Sequence, residues 1–367
     1  MLSRFLSLVG VAVALAVATP VHATCAHVPG DFSTIQGALD SGTDTVRVAD
    51  GVYAEDLMIA HDVRLLTEPA GYPPGQPPFP EVGSLVVTSA VGGTVEVRAF
   101  HFRGAVRIEA NSPTGRIAFD ACRMDAGLST AGIGGCCTRI EVRGCLIFGG
   151  AVIDHPSYYD FTCNTVVGGG LVAGAEETAA IRGNYIVGPA AAGIWLRPSD
   201  ADIFEIEDNV VSGTSEGIVV DGSNHLYGDF HHNTVTDCAG SGFRVFAPGP
   251  TNAPKIRHNV VRRCGGHGFD FSNVIAMPDS NDVEDVALDG IRVSGPYAAA
   301  RIVGNHIVRA GSAGIRLDAQ TQAWSPLSGN VVLASGSDGM VIPGGATLDH
   351  NVVGRCAGAG VRMTAGS

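Results

Sequence analysis

An asparagine that returns at almost regular intervals constrains this chain more than any other feature. Seven segments align on it: GNYIVGPAAAGIWL, DNVVSGTSEGIVV, HNTVTDCAGSGFRV, HNVVRRCGGHGFDF, GNHIVRAGSAGIRL, GNVVLASGSDGMVI and HNVVGRCAGAGVRM. Each reads Asn, any residue, Val or Ile, a short glycine-bearing stretch, and then Gly, apolar, any, apolar. The asparagines are Asn164, Asn184, Asn209, Asn233, Asn259, Asn281, Asn305, Asn330 and Asn351, spaced by 20, 25, 24, 26, 22, 24, 25 and 21 residues. A unit of that length cannot bury a core alone and must stack on its neighbours.

Stacking explains the conservation of type along the chain. Coils set at the roughly 4.8 Å spacing of paired strands bring equivalent residues directly over one another. Each Asn amide can then bond the Asn above and below, satisfying polar groups inside a turn that water does not reach. Apolar residues stack into inward columns. One, three residues before Asn, is Ile181, Ile206, Phe230, Ile256, Ile302, Leu327 and Leu348; another, two after it, is Ile186, Val211, Val235, Val261, Ile307, Val332 and Val353. A leucine-rich repeat has a similar period, but these coils carry Val, Ile and Gly in place of a leucine motif. The pattern predicts an all-β, single-stranded parallel β-helix with an asparagine ladder.

The flanking segments fit that architecture. In FSTIQGALDSG, Ser33 can cap a short helix with Gln36 three residues on and Ile35, Ala38 and Leu39 on one apolar face. Val46, Val48, Val52, Leu57, Ile59, Val63 and Leu65 then alternate with polar residues, as half-buried strands do. Between Leu66 and Ser84 the proline-rich stretch PAGYPPGQPPFPEVG is expected to loop out. RIAFDACRM and IEVRGCLIF place Cys122 and Cys145 where later coils have Asn, predicting the same turn with a thiol in place of the amide.

Residues 1–23 read as a cleavable export signal: Arg4, an apolar run from Phe5 to Ala18, then Val21-His22-Ala23. The run falls short of the roughly 20 residues that span a bilayer. The expectation is a secreted or periplasmic protein whose domain is 24–367, with no membrane span. The chain stops at GVRMTAGS with no covering helix, so the last coil is expected to be uncapped and available for self-association. A net charge of −13 and the lack of a basic cluster exclude a nucleic-acid partner. Nine cysteines in an exported chain invite disulfides. Cys122 with Cys145, and Cys238 with Cys264, fall in register and can either pair or stack as thiols.

On these repeats and on STIQGALDSG followed by DTVRVADGVYAE, the chain resembles the pectate-lyase-like superfamily of right-handed parallel β-helices. That superfamily contains lyases, hydrolases, esterases, epimerases and non-enzymatic adhesins, so the resemblance implies a fold and leaves the activity open. It also implies that the working surface is the outer face of the sheet holding the Gly-apolar-any-apolar strands. The outward column there is Trp195, Val219, Arg244, Asp270, Arg292, Arg316, Val341 and Arg362. Guanidinium forks bind carboxylates bidentately and an indole face can stack on a sugar ring, so an acidic polysaccharide fits.

Two functions follow. One is an exported protein that binds polysaccharide, or serves a surface role, without catalysis, with Trp195 and Arg316 as binding residues. The alternative is a lyase or hydrolase of uronate-containing glycans, in which Arg244 and Arg292 neutralise the substrate carboxylate and Asp270 is ligand or base. Arginines on both sides would weaken Asp270 as a base. An inter-coil salt-bridge ladder is the plainer account of the same column. Calcium is implied by the superfamily alone, because no acidic cluster stands out, and no cofactor is assigned. His267, in a GHG triplet, occupies a position filled elsewhere by Ser241, Ala313, Asp338 and Ala359 and reads as a variable turn residue. Glu207-Asp208, His231-His232 and Arg257-His258 fall on successive coils, which would stack Asp208, His232 and His258; solvent-facing turn residues explain them equally, and no metal site is assigned.

Overall fold

The computed structural model describes residues 24–68, 79–88, 91–109, 115–131, 139–154, 158–174, 178–198, 202–222, 226–246, 253–296, 298–318, 321–323 and 326–365. The expected export signal, residues 69–78 of the proline-rich stretch, and Cys136 and Cys137 lie outside them. Among the described residues the chain is a parallel β-solenoid of three long sheets, with 14, 13 and 14 strands. Each coil gives one strand to each sheet. Leu226–His231 lies in the first sheet, Thr234–Thr236 in the second and Phe243–Phe246 in the third, glycine-led sheet.

Registers match the columns read from the repeat. In the first sheet Ile181 pairs with Ile206, Ile206 with Phe230 and Phe230 with Ile256. In the second, Ile186 leads to Val211, Val235 and Val261. All these side chains are buried. The residue before each asparagine turns the chain between these sheets in the left-handed region: Gly183 at φ 61°, Asp208 and His232 at 55°, His258 at 54°. This is why short polar residues and glycine recur there.

The asparagine ladder is continuous from Asn164 to Asn351. The Asn233 Oδ1 accepts from both the backbone N–H and the Nδ2 of Asn209, at 3.1 and 2.9 Å. Its own Nδ2 donates to the Ile206 carbonyl and to the Asn259 Oδ1, at 2.8 and 2.9 Å. The repeat's glycine has a packing cause. A Cβ built on Gly242 would stand 2.3 Å from the Cγ1 of Val261, and the same clash recurs between Gly193 and Val211 and between Gly314 and Val332. The valine two after Asn therefore needs a bare backbone beside it.

The only helix among the described residues is Ile35–Asp40, which buries Ile35, Ala38 and Leu39 over the first coils. Its cap is Thr34 and not Ser33. Thr34 is the residue in extended conformation, with its Oγ1 accepting from the Gly37 N–H at 3.1 Å. Glu55 accepts the Ile35 and Gln36 N–H groups, so a carboxylate from the next coil completes the helix start.

Two other expectations need correction. Val52 is 72% exposed, because it bridges to Glu81 on the outward side of the second sheet. The stretch expected to loop out rejoins the solenoid before Ser84: Glu81–Val82 pairs with His101–Phe102, and Val82 is buried.

Cys122 and Cys145 do occupy the asparagine position, after Ala121 at φ 53° and Gly144 at 59°. The described cysteines are all free thiols, so the register pairs stack without bonding. No helix among the described residues is long and apolar enough to cross a membrane.

Candidate functional site

The third sheet presents its outward side chains one per coil. Trp195 pairs with Val219, Val219 with Arg244, Arg244 with Asp270, Asp270 with Arg292, Arg292 with Arg316, Arg316 with Val341 and Val341 with Arg362. The column's charges cluster toward the C-terminus, with Arg107, paired to Glu109, as an earlier one. Earlier coils place Val152 and Val172 there, in line with Trp195.

The arginines divide by partner. The Arg316 Nε reaches the Asp289 Oδ2 at 3.1 Å and the Arg362 Nε reaches the Asp338 Oδ2 at 2.7 Å. Both carboxylates come from the turn before the sheet, where they also accept the next coil's backbone: Ala313 N–H to Asp289 and Ala359 N–H to Asp338. Arg362 and that N–H hold the Asp338 carboxyl below the usual carboxylate range. Arg292 stands 3.8 Å from Asp318, a loose contact.

Among the described residues Arg244 is exposed with no ion-pair partner, and neither Arg244 nor Arg292 pairs with Asp270. A salt-bridge ladder thus forms on this face, but it runs through the turn carboxylates and leaves Asp270 out. The Asp270 Oδ1 is enclosed and has no hydrogen-bond partner. Trp195 is half-buried with its Nε1 unpartnered, and the Arg197 guanidinium sits 4.4 Å over its ring. One face of the indole is therefore already covered by a cation, and a sugar would stack on what remains.

His267 is a turn residue. It is buried, its Nδ1 accepts the Asp289 N–H at 3.2 Å, and its backbone N–H donates to the Ser241 Oγ. Asp208, His232 and His258 share the left-handed turn position, and the rings of His232 and His258 stack with centroids 5.4 Å apart.

Two groupings were not brought together by the sequence reading. The first surrounds a cavity of about 700 Å³ lined by Val52, Phe79, Glu81, His101 and Arg123 among others. There the His101 Nε2 lies 2.8 Å from Asp125 and its Nδ1 3.4 Å from Glu81. Burial opposes ionisation of Asp125, yet Arg123 and His101 hold its carboxyl below the usual range. With Arg103 also on Glu81, these groups are occupied with one another and offer a ligand little. Glu81, His101 and Arg123 share one register position, which was readable once the second sheet's outward column was followed into the early coils. The second grouping is Glu205, Glu207 and His231 on the first sheet.

The class defined by this geometry is the parallel β-solenoid. The right-handed beta helix region family matches residues 89–273 and 192–367, and the chain belongs to it. No curated protein matches the sequence significantly. Among solved structures, the chain is similar to the catalytic domain of a GH87 α-1,3-glucanase in complex with tetrasaccharides, at 10% identity and TM-score 0.39, covering 95% of this chain and 69% of that one. It is also similar to the A-module of the Azotobacter vinelandii mannuronan C-5 epimerase AlgE6, at 12% identity and TM-score 0.29, covering 90% and 94%. A third likeness is to the Dettilon tailspike protein, at 15% identity and TM-score 0.26, covering 89% and 63%.

Proposed function

We propose that this chain is an exported protein that binds an acidic, uronate-containing polysaccharide along the outer face of the glycine-led sheet without transforming it. The exposed, unpaired guanidinium of Arg244, two coils from the loosely held Arg292 on the far side of Asp270, carries this reading. Guanidinium groups repeated along a rigid sheet at a spacing of about 4.8 Å per coil match a polymer whose carboxylates also repeat. Arg316 adds a cation already oriented by Asp289, and Trp195 offers an apolar edge upstream. The binding is expected to weaken with salt, because the face is open to solvent.

The test is calorimetric titration with polygalacturonate and alginate against neutral dextran. Arg244→Ala and Arg292→Ala should each lower affinity roughly tenfold, the worth of one charge-assisted contact. Equal affinity for dextran would sink the proposal.

A lyase or hydrolase of the same polymers is the second reading, favoured by the enclosed, unpartnered Asp270 Oδ1 between two arginines. Here Asp270, Arg292 and Arg244 are the catalytic residues. Ultraviolet absorbance of unsaturated product and new reducing ends, followed with and without calcium, decide it. Product that disappears in Asp270→Ala replaces the first reading with this one.

A further inference from the structure

We propose that Glu205, Glu207 and His231 form a binding site for a divalent first-row transition-metal ion on the outer face of the first sheet, away from the polysaccharide face. Glu205 and Glu207 are two residues apart on the strand Asp202–Glu207 and so point to the same side. His231 is the register partner of Glu207 in the next coil. One donor atom from each of the three lies within 4.8 Å of the other two. Ligands bound at roughly 2.0–2.2 Å from a zinc ion stand a little closer than that to one another, so side-chain rotation alone closes the site. The backbone beneath is held by a parallel ladder on both sides and need not move.

The imidazole is set up from behind. The His231 Nδ1 lies 2.9 Å from the His232 Nδ1, and the His231 Nε2 lies 3.3 Å from the Glu207 Oε2. When the His231 Nδ1–H donates to His232, the Nε2 lone pair faces the carboxylates. This is the arrangement in which the second ring nitrogen of a metal-bound histidine is itself hydrogen-bonded. The His232 ring is in turn stacked on His258 with 14° between the planes, which steadies the acceptor. On the opposite side Arg182 ion-pairs with both carboxylates, its Nη2 with the Glu205 Oε2 and its Nε 2.9 Å from the Glu207 Oε1, which leaves the Glu207 Oε2 for an ion.

His231 is mostly buried and Glu207 largely so, whereas Glu205 is nearly half exposed, so solvent can supply the remaining ligands. A mixed nitrogen and oxygen set with an open position suits zinc or cobalt. Calcium, which takes oxygen ligands, is disfavoured by the imidazole.

The experiment is titration of chelator-stripped protein with zinc by calorimetry and with cobalt by visible absorption, calcium serving as the comparison ion. The expected result is one zinc per chain, a d–d band with cobalt, and at least tenfold weaker zinc binding in His231→Gln and in Glu207→Gln. The remote His306→Gln should bind zinc as the parent does. Glu205→Gln, at the most exposed of the three ligands, tests the site should either of the other variants fail to fold. Zinc affinity unchanged in the folded variants, or calcium bound as tightly as zinc, overturns the assignment.

Discussion

The turn between the first and second sheets is built from two chemistries in two regions of the solenoid. From Asn164 onward each coil places an amide there, and the amides bond one another and the neighbouring backbone at about hydrogen-bond optimum, as Asn184 does to Asn209 at 2.9 Å. In the earlier coils the same position holds Cys145, Cys122 and, before them, the buried ring of Phe100. The Cys145 Sγ makes only sulfur contacts, 3.3 Å to the Arg143 carbonyl and 3.7 Å to that of Phe119, and the Cys122 N–H points at the Cys145 sulfur at 3.4 Å. Backbone path is the same in both regions, with Ala99, Ala121 and Gly144 in the left-handed conformation. The path therefore comes from the left-handed residue and the apolar columns. The amide adds satisfaction of buried polar groups, and with it stability.

Substitutions along the solenoid break or sharpen this contrast. Asn233→Ala, in mid-ladder, strands two donors of Asn209 and the Ile206 carbonyl. At about 1–3 kcal/mol per buried unsatisfied group, partly relieved by relaxation, it should cost about 3–5 kcal/mol in urea denaturation. A loss no greater than that of Cys145→Ala would erase the distinction between the regions.

Gly242→Ala drives a methyl into Val261 and toward the Gly268 carbonyl 2.9 Å away, and should cost about 2–3 kcal/mol. In the early coil of Val106 the corresponding residue is Ala105, whereas the coils of Cys122 and Cys145 keep Gly127 and Gly150 there, at φ 85° and 96°, so the contact with valine is particular to the asparagine-bearing coils but the glycine is not. Recovery of stability in Gly242→Ala/Val261→Ala would confirm the contact as the cause.

Glu141 belongs to the thiol-bearing region and sits buried under Arg116, Arg139 and Arg143. The hydrogen bond from Arg116, with the other two guanidinium groups, outweighs burial and lowers its carboxyl pKa. A carboxyl lowered in the folded state stabilises above its unfolded value, near 4.5, and that contribution is lost as pH falls through the folded value. The arginines are nearly half exposed and screened, so Glu141→Gln should cost only about 1–2 kcal/mol at pH 7. The gap between variant and parent should narrow toward pH 3. A gap independent of pH would assign the loss to packing.

Smallest is Cys145→Ala, about 1 kcal/mol for a buried sulfur making weak contacts. Cys145→Asn, extending the ladder by one coil to the Cys122 N–H, should restore that loss or exceed it, measured by the same denaturation.

Much of this architecture was legible because stacking demands one residue type per position. Val211, Val235 and Val261 could be assigned to one column from spacing alone, and the outward line from Trp195 to Arg362 followed from the same alignment. What escaped lies where periodicity stops. Asp289, Asp318 and Asp338, which take the arginines, sit in turns and connections whose side-chain reach no repeat dictates. Thr34 and Ser33 are equally good caps by type, and only the backbone conformation decides between them. Val52 alternates correctly with its neighbours yet faces outward, because the chain turns into the second sheet there. Glu207 and His231 were noticed as a stacked pair of positions, but the column chosen was one residue late and fell on the turn.

The asparagine side chains all face one way: each carbonyl oxygen receives from the coil before, and one amide hydrogen of each is given to the coil after. A file of aligned amide dipoles therefore runs along the solenoid axis, each polarising the next. Such a file has a head and a tail. Its first link takes the Cys145 N–H at 2.9 Å, and its strength there is that of a single bond, whereas an amide in the middle is reinforced from both directions. The same change of residue should thus weigh differently along the axis, so that Asn164, at the head, is the position where evolution or an engineer can most cheaply replace the amide.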